Sequence, residues 1–368
     1  MGKLQETIQQ IERIDFSLAE KTQNQLDSLT KPQGSLGRLE ELAKQVVEIT
    51  RKEKPSLKNK VIFTMAGDHG VTEEGVSAFP QEVTAQMVDN FLQGGAGINV
   101  LSRHVGARVV VCDMGTAKEI QNPKSLPEAG PPQADKTKNF KEKKIAFGTK
   151  NMVKGPAMTF QEAMRAIENG ICVFEEEFEK GIDVVGTGDM GIGNTTPSSA
   201  ITAVITGRPV KEVTGKGTGI DDQALFAKIK TIEKAIAMNK PNAENAIDVL
   251  AKVGGFEIGG IAGVILAAAA HRVPVVIDGF ISGAGALIAY KLEPKVKDYM
   301  IAGHCSVEKG HKILLEHLSL RPLLDLNLRL GEGTGAALGI GLVEAAVKIL
   351  TEMATFRDAE VSEKINSY

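Results

Sequence analysis

Hydrophobic residues recur with a helical period near the start of the chain and in short runs after that. Five of them fall on one face of a predicted helix: Leu36, Leu39, Leu42, Val46 and Ile49. Upstream, Ser17 and Glu20 have the spacing of a capping box and predict another helix start. From residue 61 onward the short apolar runs predict strands at 61–65, 108–112, 144–147, 182–185, 273–277 and 298–302.

Helical patterns lie between several of these runs, and this alternation determines the predicted fold class. The clearest helical patterns are at 159–178, 221–238 and 242–253. Alternating strands and helices indicate an α/β fold with a mainly parallel sheet and helices on both faces. A further long helix at 336–354 has no strand nearby in sequence. We therefore expect it to pack with the N-terminal helices as a small helical domain.

Composition and charge restrict the class of protein. The 368 residues are 42% hydrophobic, which is enough for a sizeable core, and carry a formal net charge of -3. Without an excess of Lys and Arg, a nucleic-acid partner is not indicated, and a small molecule is the expected partner. Three widely spaced cysteines, Cys112, Cys172 and Cys305, favour reduced thiols over a disulfide framework.

The sequence indicates neither a secretory signal nor a membrane span. Residues 1–10 are polar and mixed in charge, unlike a secretory signal. The apolar stretch 258–270 is shorter than the ~20 residues that a bilayer needs, so it predicts a buried helix. We therefore expect a cytoplasmic protein. Residues 122–138, rich in Pro and Lys, are predicted to form a surface excursion.

The stretch from Gly186 to Pro197 is the strongest candidate for a binding loop. Four glycines within eight residues follow the predicted strand at 182–185. We expect a sharply turning backbone that approaches a ligand closely, and a helix that begins near Pro197 with Thr195 or Thr196 as its cap. Because a helix N-terminus favours an anion, the predicted ligand is a phosphate.

Two other interpretations of this stretch remain open. Residues 186–191 satisfy the G-x-G-x-x-G pattern of a dinucleotide-binding turn. In that fold the glycines themselves open the helix, whereas here the predicted helix begins about a turn and a half later. The remaining interpretation is a glycine-rich connection that holds no ligand.

Two further stretches share the pattern G-x-G-T-G, at 215–219 and 331–335. Lys216 lies among the glycines of the first and predicts a second phosphate contact, with an ordinary loop as the alternative. Glu332 lies between glycines of the second. It is either a solvated acid that stabilises the following helix dipole or a base with a raised pKa. Leu328 and Leu330 precede it and favour the partly buried base.

The sequence does not indicate a metal centre or a nucleophilic triad. The six histidines show no H-E-x-x-H or C-x-x-C spacing, and there is no G-x-S-x-G elbow. The pair Asp68-His69 is more often a structural hydrogen-bonded pair than a ligand set. Five successive strand ends nevertheless carry glycine beside a polar or acidic residue, which predicts a continuous, metal-free site along that edge of the sheet.

Five ordered motifs carry a resemblance to a known family. They are KPQGSLG at 31–37, AGDHGV at 66–71, GVSAFP at 75–80, GDMGIGNTT at 188–196 and RLGEGTGA at 329–336. Together they resemble the nicotinate-nucleotide:dimethylbenzimidazole phosphoribosyltransferases over nearly the whole chain. The resemblance implies a Rossmann-like domain at 56–336, a small helical domain from 1–55 with 337–368, and a homodimer that needs neither a metal nor another cofactor.

The resemblance also implies a reaction. Members of this family move the phosphoribosyl group of nicotinate mononucleotide to an aromatic base such as 5,6-dimethylbenzimidazole for cobamide assembly, with inversion from β to α at C1'. Glu332 matches the catalytic base of the family. Asp189 stands where the family often has the longer glutamate, so it is either a supporting acid or an orienting group. The alternatives are an NAD-dependent α/β oxidoreductase and a non-catalytic binder of nucleotides or corrinoids.

Further site residues follow from the same resemblance. The base pocket is implied at Phe79, Met87, Met190 and Leu330. Phosphate and ribose contacts are implied at Gly191, Gly193, Asn194, Thr195, Lys216, Gly217, Ser306 and Gly331. A methyl group more or less is worth only ~1–3 kcal/mol in an apolar pocket, so we expect several benzimidazoles to be accepted.

Overall fold

The structure is a computed structural model that describes residues 2–120 and 139–362. Its strands are β1 (Lys60–Gly67), β2 (Ala107–Gly115), β3 (Phe140–Glu142), β4 (Val184–Met190), β5 (Val275–Ile277) and β6 (Met300–Ala302). They form one sheet in the order β3-β2-β1-β4-β5-β6, and every neighbouring pair is parallel. This is the strand order of a doubly wound Rossmann-type sheet, so the predicted fold class is confirmed.

Helices cover both faces of the sheet. In chain order they are α1 (Lys3–Gln10), α2 (Ala19–Ser28), α3 (Arg38–Thr50), α4 (Val83–Gln93), α5 (Gly97–Val105), α6 (Phe160–Phe178), α7 (Thr195–Thr206), α8 (Val210–Val213), α9 (Asp222–Asn239), α10 (Ala246–Val253), α11 (Phe256–Ala270), α12 (Phe280–Leu292), α13 (Lys309–Leu318) and α14 (Thr334–Glu352). One face carries α6, α11 and α12, and the other carries α3, α5 and α14.

Strand β1 contributes to the core on both faces, as a central parallel strand should. All eight of its residues are buried. Val61, Phe63 and Met65 join the apolar cluster on the α11 face, whereas Ile62 and Ala66 join the cluster on the α14 face. The period-2 alternation of side-chain direction therefore explains why one continuous apolar run serves two cores.

The helices at the two ends of the chain meet only in part. Helices α2 and α3 contact the C-terminal segment, where the Gln25 side-chain amide donates to the Leu350 carbonyl at 2.8 Å and α3 packs against α14. Helix α1 instead packs against α6 and α11 on the opposite face. The division into 1–55 with 337–368 and 56–336 stays a prediction.

Helix α14 is long and apolar enough to cross a membrane by length and composition. Among the described residues it is the one helix that meets this test, and 56% of the apolar window is buried inside the structure. It packs against α3, α5 and β4, so here it acts as a core helix of the sheet.

Two predictions of local structure are wrong near the ends of the sheet. The run at 144–147 is not a strand; the edge strand β3 lies earlier, at Phe140–Glu142, because this edge pairs only with the carboxyl half of β2. The capping box at Ser17 and Glu20 does not form either. Asp15 accepts the Ser17 N–H at 2.8 Å and starts a short 3-10 helix, after which α2 begins at Ala19.

The glycine-rich stretch also differs from its prediction. Strand β4 continues through Met190 instead of ending at Val185, and α7 begins at Thr195 with Asn194 as its N-cap. Neither Thr195 nor Thr196 caps the helix, since the cap position falls on Asn194, which itself makes no side-chain cap hydrogen bond. The predicted excursion at 122–138 lies outside the described residues.

Candidate active site

The candidate site lies at the carboxyl ends of β1 and β4, where the strand order reverses. These two strands are paired up to Ala66 and Met190, one residue beyond Asp189. Open α/β sheets bind ligands outside the carboxyl ends of their strands at this switch point. The segment before α14 folds over the same end, because the Glu332 backbone N–H donates to the Asp189 carbonyl at 3.2 Å. The two predicted acidic residues are therefore neighbours.

Glu332 occupies an unusual backbone conformation. Gly331, Glu332 and Gly333 have φ angles of 79°, 65° and 103°. A non-glycine residue in the left-handed region costs of order 1–3 kcal/mol and persists only where its surroundings hold it, which is common at functional sites. The Thr64 hydroxyl holds this residue from β1 by donating to the Glu332 carbonyl at 3.0 Å.

The Glu332 carboxyl group is buried and has a raised pKa. The residue is 4% exposed, and Oε2 accepts the Ile98 backbone N–H at 3.0 Å. Burial is the largest cause of the raised pKa, and the nearby Asp278 charge acts in the same direction, whereas the Ile98 hydrogen bond opposes them. A carboxylate of this kind is a better proton acceptor than a solvated one. The predicted burial of Glu332 is therefore observed and the solvated helix-dipole acid is not, whereas its role as the catalytic base stays a prediction.

Glycines make room for this loop. A Cβ at Gly188 in β4 would overlap the Glu332 carbonyl group, and a Cβ at Gly97 would lie 2.9 Å from Leu330 Cδ2. The first two glycines of the G-x-G-x-x-G pattern therefore lie inside a strand, where Gly188 allows a close backbone approach. A pyrophosphate turn of the dinucleotide-binding kind is not formed here.

Asp189 is a buried acid that holds its neighbours. The Asn194 side-chain amide donates to Asp189 Oδ2 at 3.0 Å, and a Cβ at Gly331 would lie 3.2 Å from the same oxygen. Burial, followed by the negative charges of Asp278 and Glu257, raises the Asp189 pKa well above its usual range. These surroundings therefore favour the protonated form of Asp189 more than water would.

The residues predicted for the base pocket differ in burial and in position. Met87 in α4 and Met190 at the end of β4 are partly buried against the apolar cluster of the α14 face. Leu330 is 60% exposed and lies against Gly97. Phe79 is 53% exposed, in a loop where the Ala78 N–H donates to Thr218 Oγ1 at 3.0 Å. Met190 directly follows Asp189 in β4 and Leu330 belongs to the segment that leads into Glu332, whereas Phe79 lies toward the loop at 215–219.

The predicted phosphate contacts gather around the start of α7. A Cβ at Gly191 would overlap the Gly67 carbonyl, and Gly193 has a φ of 87° and leaves no room for a side chain beside Thr72. Glycine is therefore required at both positions. The start of α7 at Thr195 is brought against Gly217, because a Cβ at Gly217 would lie 2.8 Å from Thr195 Oγ1. Two glycine-rich segments distant in sequence thus meet at one helix N-terminus.

A lysine that sequence reasoning missed lies at this meeting point. Lys228 in α9 is 1% exposed, donates from Nζ to Thr195 Oγ1 at 2.6 Å, and has its pKa lowered by burial to about 8, with Glu308 opposing the shift. The predicted Lys216 has a side chain that is 52% exposed and forms an ion pair with Asp222 at 2.8 Å. In the sequence, Lys228 falls on the same helix face as the apolar residues Ile232 and Ala235. This position could have indicated a buried lysine.

Ser306 lies at the edge of the same region. The Ser306 backbone N–H donates to His311 Nδ1 at 2.8 Å, and Glu308 Oε1 accepts the Gly217 N–H at 2.9 Å. Ser306 and Glu308 also line a cavity of about 650 Å³ together with Lys309. Glu332 and Asp189 do not line this cavity, which adjoins the Gly217 backbone through Glu308.

A buried ion pair supports the site from behind. His69 Nε2 lies 2.8 Å from Glu257 Oε1, and both side chains are almost completely buried. Burial lowers the His69 pKa, but Glu257 outweighs this, and the net shift is upward. The structural hydrogen bond predicted between Asp68 and His69 is therefore wrong: His69 pairs with Glu257, and Asp68 accepts the Ala117 N–H at 2.8 Å. Among the described residues no group of three or more His, Cys, Asp or Glu could hold a metal ion.

Comparison with known proteins identifies the family of the chain. Residues 11–361 match a protein family described as Phosphoribosyltransferase. The chain belongs to this family. It is 56% identical over 366 residues to the nicotinate-nucleotide–dimethylbenzimidazole phosphoribosyltransferase of Desulforudis audaxviator, with 100% of both chains covered. It is 55% identical to the enzyme of the same name from Geobacter sulfurreducens, with 99% of both chains covered.

A solved structure of the same kind is also similar. The crystal structure of this phosphoribosyltransferase from Thermus thermophilus superposes with a TM-score of 0.86 at 41% identity, covering 95% of this chain and 100% of that one. These comparisons support a phosphoribosyltransferase and not the dehydrogenase alternative. The protein is thus an enzyme of the phosphoribosyltransferase family.

Proposed function

We propose that the protein transfers the 5-phosphoribosyl group of nicotinate mononucleotide to 5,6-dimethylbenzimidazole or a related aromatic base. The observation that carries this proposal is Glu332, a buried carboxylate with a raised pKa on a strained loop. We propose that Met87 and Met190 belong to an apolar side of the site and Lys228 to a polar side. Such a site suits a reaction between a flat apolar base and a phosphorylated ribose.

The chemistry of the substrates explains why one base is enough. The nicotinate ring nitrogen carries a formal positive charge in the mononucleotide, so nicotinate leaves with the electrons of the glycosidic bond and needs no acid. A ring nitrogen of the incoming benzimidazole attacks C1' and would remain cationic. Glu332 removes the proton from the other ring nitrogen, which leaves a neutral benzimidazole ring in the product. A positioned base contributes typically about 10²- to 10⁴-fold to the rate.

The ribose phosphate is proposed to bind at the start of α7. The helix N-terminus and the Lys228 ammonium group both favour an anion. Gly191, Gly193, Asn194, Thr195, Gly217, Ser306 and Gly331 are proposed to line this side with Lys216 at its rim. If the base attacks from the face opposite to nicotinate, the configuration at C1' inverts from β to α. Asp189 is proposed to orient Asn194 and Gly331 rather than to transfer a proton.

Direct assay tests the proposal. The protein is incubated with nicotinate mononucleotide with and without 5,6-dimethylbenzimidazole, and released nicotinate is measured by chromatography. We expect release only when the base is present and an α-linked ribotide by NMR. Binding of both substrates without release would indicate a non-catalytic binder, and hydride transfer to NAD would indicate an oxidoreductase. Either result would contradict the proposal.

The quaternary structure and the compartment are also proposals. The three cysteines are free, and Cys112 is fully buried, which suits a reducing compartment such as the cytoplasm. We expect a homodimer, on the resemblance to the family. Light scattering at several concentrations should therefore give the mass of two chains, and the mass of one chain throughout would contradict it.

A further inference from the structure

Asp278 makes an unusual set of contacts with the segment that carries Glu332. This fully buried carboxylate, between β5 and α12, accepts backbone N–H groups from Gly333 at 3.1 Å, Gly335 at 2.7 Å and Ala336 at 3.1 Å. It therefore satisfies the first free donors of α14 from another part of the chain. His304 Nε2 lies 3.5 Å from the same carboxylate, on the side of β6.

The Glu332 loop needs such a hold. Gly331 and Gly333 adopt positive φ angles readily, but the positive φ of Glu332 between them persists only if neighbouring groups determine it. Thr64 and the Asp189 carbonyl fix Glu332 itself, but the chain that follows it is fixed by Asp278. Asp278 is in turn oriented by its own N–H, which donates to Thr187 Oγ1 in β4 at 3.3 Å. Through its backbone N–H and its carboxylate, Asp278 thus connects β4, β5 and the start of α14.

We propose that Asp278 is a positioning residue of the reaction, whose buried carboxylate grips the Gly333–Ala336 backbone and so fixes the carboxyl group of Glu332 against the incoming base. The inference rests on the proposed function. It adds a residue that does not touch substrate in this arrangement and acts through the catalytic base. It also gives a reason for a buried acid in the centre of the fold.

The charge of Asp278 gives the inference a distinctive readout. The Glu332 segment faces Asp189 at the end of β4 and Asp278 at the end of β5, with His304 behind Asp278. Helix α5 presents the Ile98 N–H to Glu332, and β1 presents the Thr64 hydroxyl. Asp278 is the charge that raises the Glu332 pKa, after burial. Its removal should therefore shift the acidic limb of turnover toward lower pH.

The test uses Asp278→Asn, which keeps the size of the side chain and removes its charge. We expect kcat for nicotinate release to fall about ten- to a hundred-fold, because small misplacements of a catalytic group have effects of this size. KM for nicotinate mononucleotide should change far less, and the acidic limb of the kcat profile should move to lower pH. Added to Glu332→Gln, the same change should cause little further loss, since both act on one group.

The matched control is Asp113→Asn. Asp113 is also a buried strand-end carboxylate that accepts backbone N–H groups, from Gly115 at 3.0 Å and Thr116 at 2.8 Å. It lies on β2, separated from β5 by β1 and β4. This variant should lose stability but keep the acidic limb of the wild type. Asp278→Ser, a smaller neutral replacement, is the second variant if Asp278→Asn does not fold.

The outcomes distinguish a failure of the proposed function from a failure of the positioning role of Asp278. A wild-type protein that releases no nicotinate contradicts the proposed function itself. With an active wild type, a folded Asp278 variant with unchanged kcat and unchanged acidic limb overturns the positioning role alone. A double variant far less active than Glu332→Gln would overturn it as well, because Asp278 would then act independently of Glu332.

Discussion

Glu332 and Lys228 are charged side chains that the fold removes almost entirely from water, at the two ends of the proposed substrate. Burial raises the pKa of the acid and lowers the pKa of the lysine to about 8. Each group is thereby held closer to neutrality than in solution. For Glu332 this favours proton transfer, and for Lys228 it leaves a poorly solvated cation for which a phosphate is a strong partner.

The raised Glu332 pKa has a consequence for stability. The native state binds more protons than the unfolded state above the ordinary value of 4.5, so stability falls as pH rises through the window up to the native pKa. Glu332→Gln removes this loss. We expect the variant to be more stable than the wild type at about pH 8 and to lose that advantage near about pH 4.5. Urea denaturation at the two pH values measures it, and equal stabilities at about pH 8 would contradict a costly buried carboxylate.

Lys228 and Lys216 make a paired test of the phosphate side. Lys228→Met should weaken the binding of nicotinate mononucleotide about ten- to a hundred-fold, because a charge-assisted hydrogen bond to a buried group is worth roughly 1.5–3 kcal/mol. Lys216→Ala should have a smaller effect, since Lys216 is half exposed and already paired with Asp222. Neither should alter binding of the free base. Calorimetry measures the affinity of the wild type and both variants for each substrate. A larger loss of mononucleotide affinity in Lys216→Ala than in Lys228→Met would contradict Lys228 as the main phosphate contact.

The same lysine predicts a pH dependence of binding. As pH rises through about 8, Lys228 loses its proton in the free protein, and affinity for the mononucleotide should fall. The Lys228→Met variant should lack this dependence. Wild-type affinity that stays constant across this range would show that Lys228 does not contact the phosphate.

Met87 and Met190 are predicted to set the preference among bases. A flexible apolar wall should accept several benzimidazoles with small differences between them. Met87→Gln or Met190→Ala should change the preference order in competition assays with paired bases. Met238→Gln is the control, since Met238 is a half-exposed methionine on α9. If the preference order stays the same in both pocket variants, these two side chains do not line the base pocket.

At the scale of secondary structure, the site depends on the contact between β4 and the chain that leads into α14. The Glu332 N–H and the Asp189 carbonyl are joined there, and Gly188 provides the space. The glycine at position 188 of β4 is therefore required by the close approach of the Glu332–Gly333 backbone. A side chain at Gly188 has no free direction, because the atoms it would meet are the carbonyl group of Glu332 and the nitrogen of Gly333.

Gly188→Ala should displace the Glu332 loop without touching any substrate group. We expect about a hundred-fold lower kcat, the size of effect that a displacement of about 1 Å can have. Binding of the mononucleotide should be much less affected. Gly341→Ala within α14 is the control, because its Cβ would meet Val105 only at 3.4 Å. Unchanged turnover in a folded Gly188→Ala variant would mean that the loop has more freedom than these contacts allow.

At the scale of the whole molecule, the sequence predicted the sheet and its two helical layers because long apolar runs in parallel strands are easy to recognise. It could not predict β3, since a three-residue edge strand reading Phe-Lys-Glu has almost no apolar pattern. The extent of β4 was missed for a related reason. Its last residues are glycines and an acid, which indicate a loop unless the strands on both sides are known.

The candidate site shows the same limit. The sequence predicts Glu332 as a partly buried base, but Leu330 does not bury it, because Leu330 is 60% exposed and the carboxyl group lies against β4 and α5. Lys228 and Asp278 act through contacts between segments far apart in sequence, with Thr195 and with Gly333 to Ala336. Local pattern carries no information about such contacts.

The most direct test of the central claim is turnover by Glu332→Gln with nicotinate mononucleotide and 5,6-dimethylbenzimidazole. Glutamine keeps the size of the side chain and an oxygen for the Ile98 N–H, but it cannot accept the proton of the base. We predict that mononucleotide binding is preserved and that nicotinate release falls by about 10²- to 10⁴-fold. A folded Glu332→Gln protein that turns over at nearly the wild-type rate would contradict the assignment of Glu332 as the catalytic base.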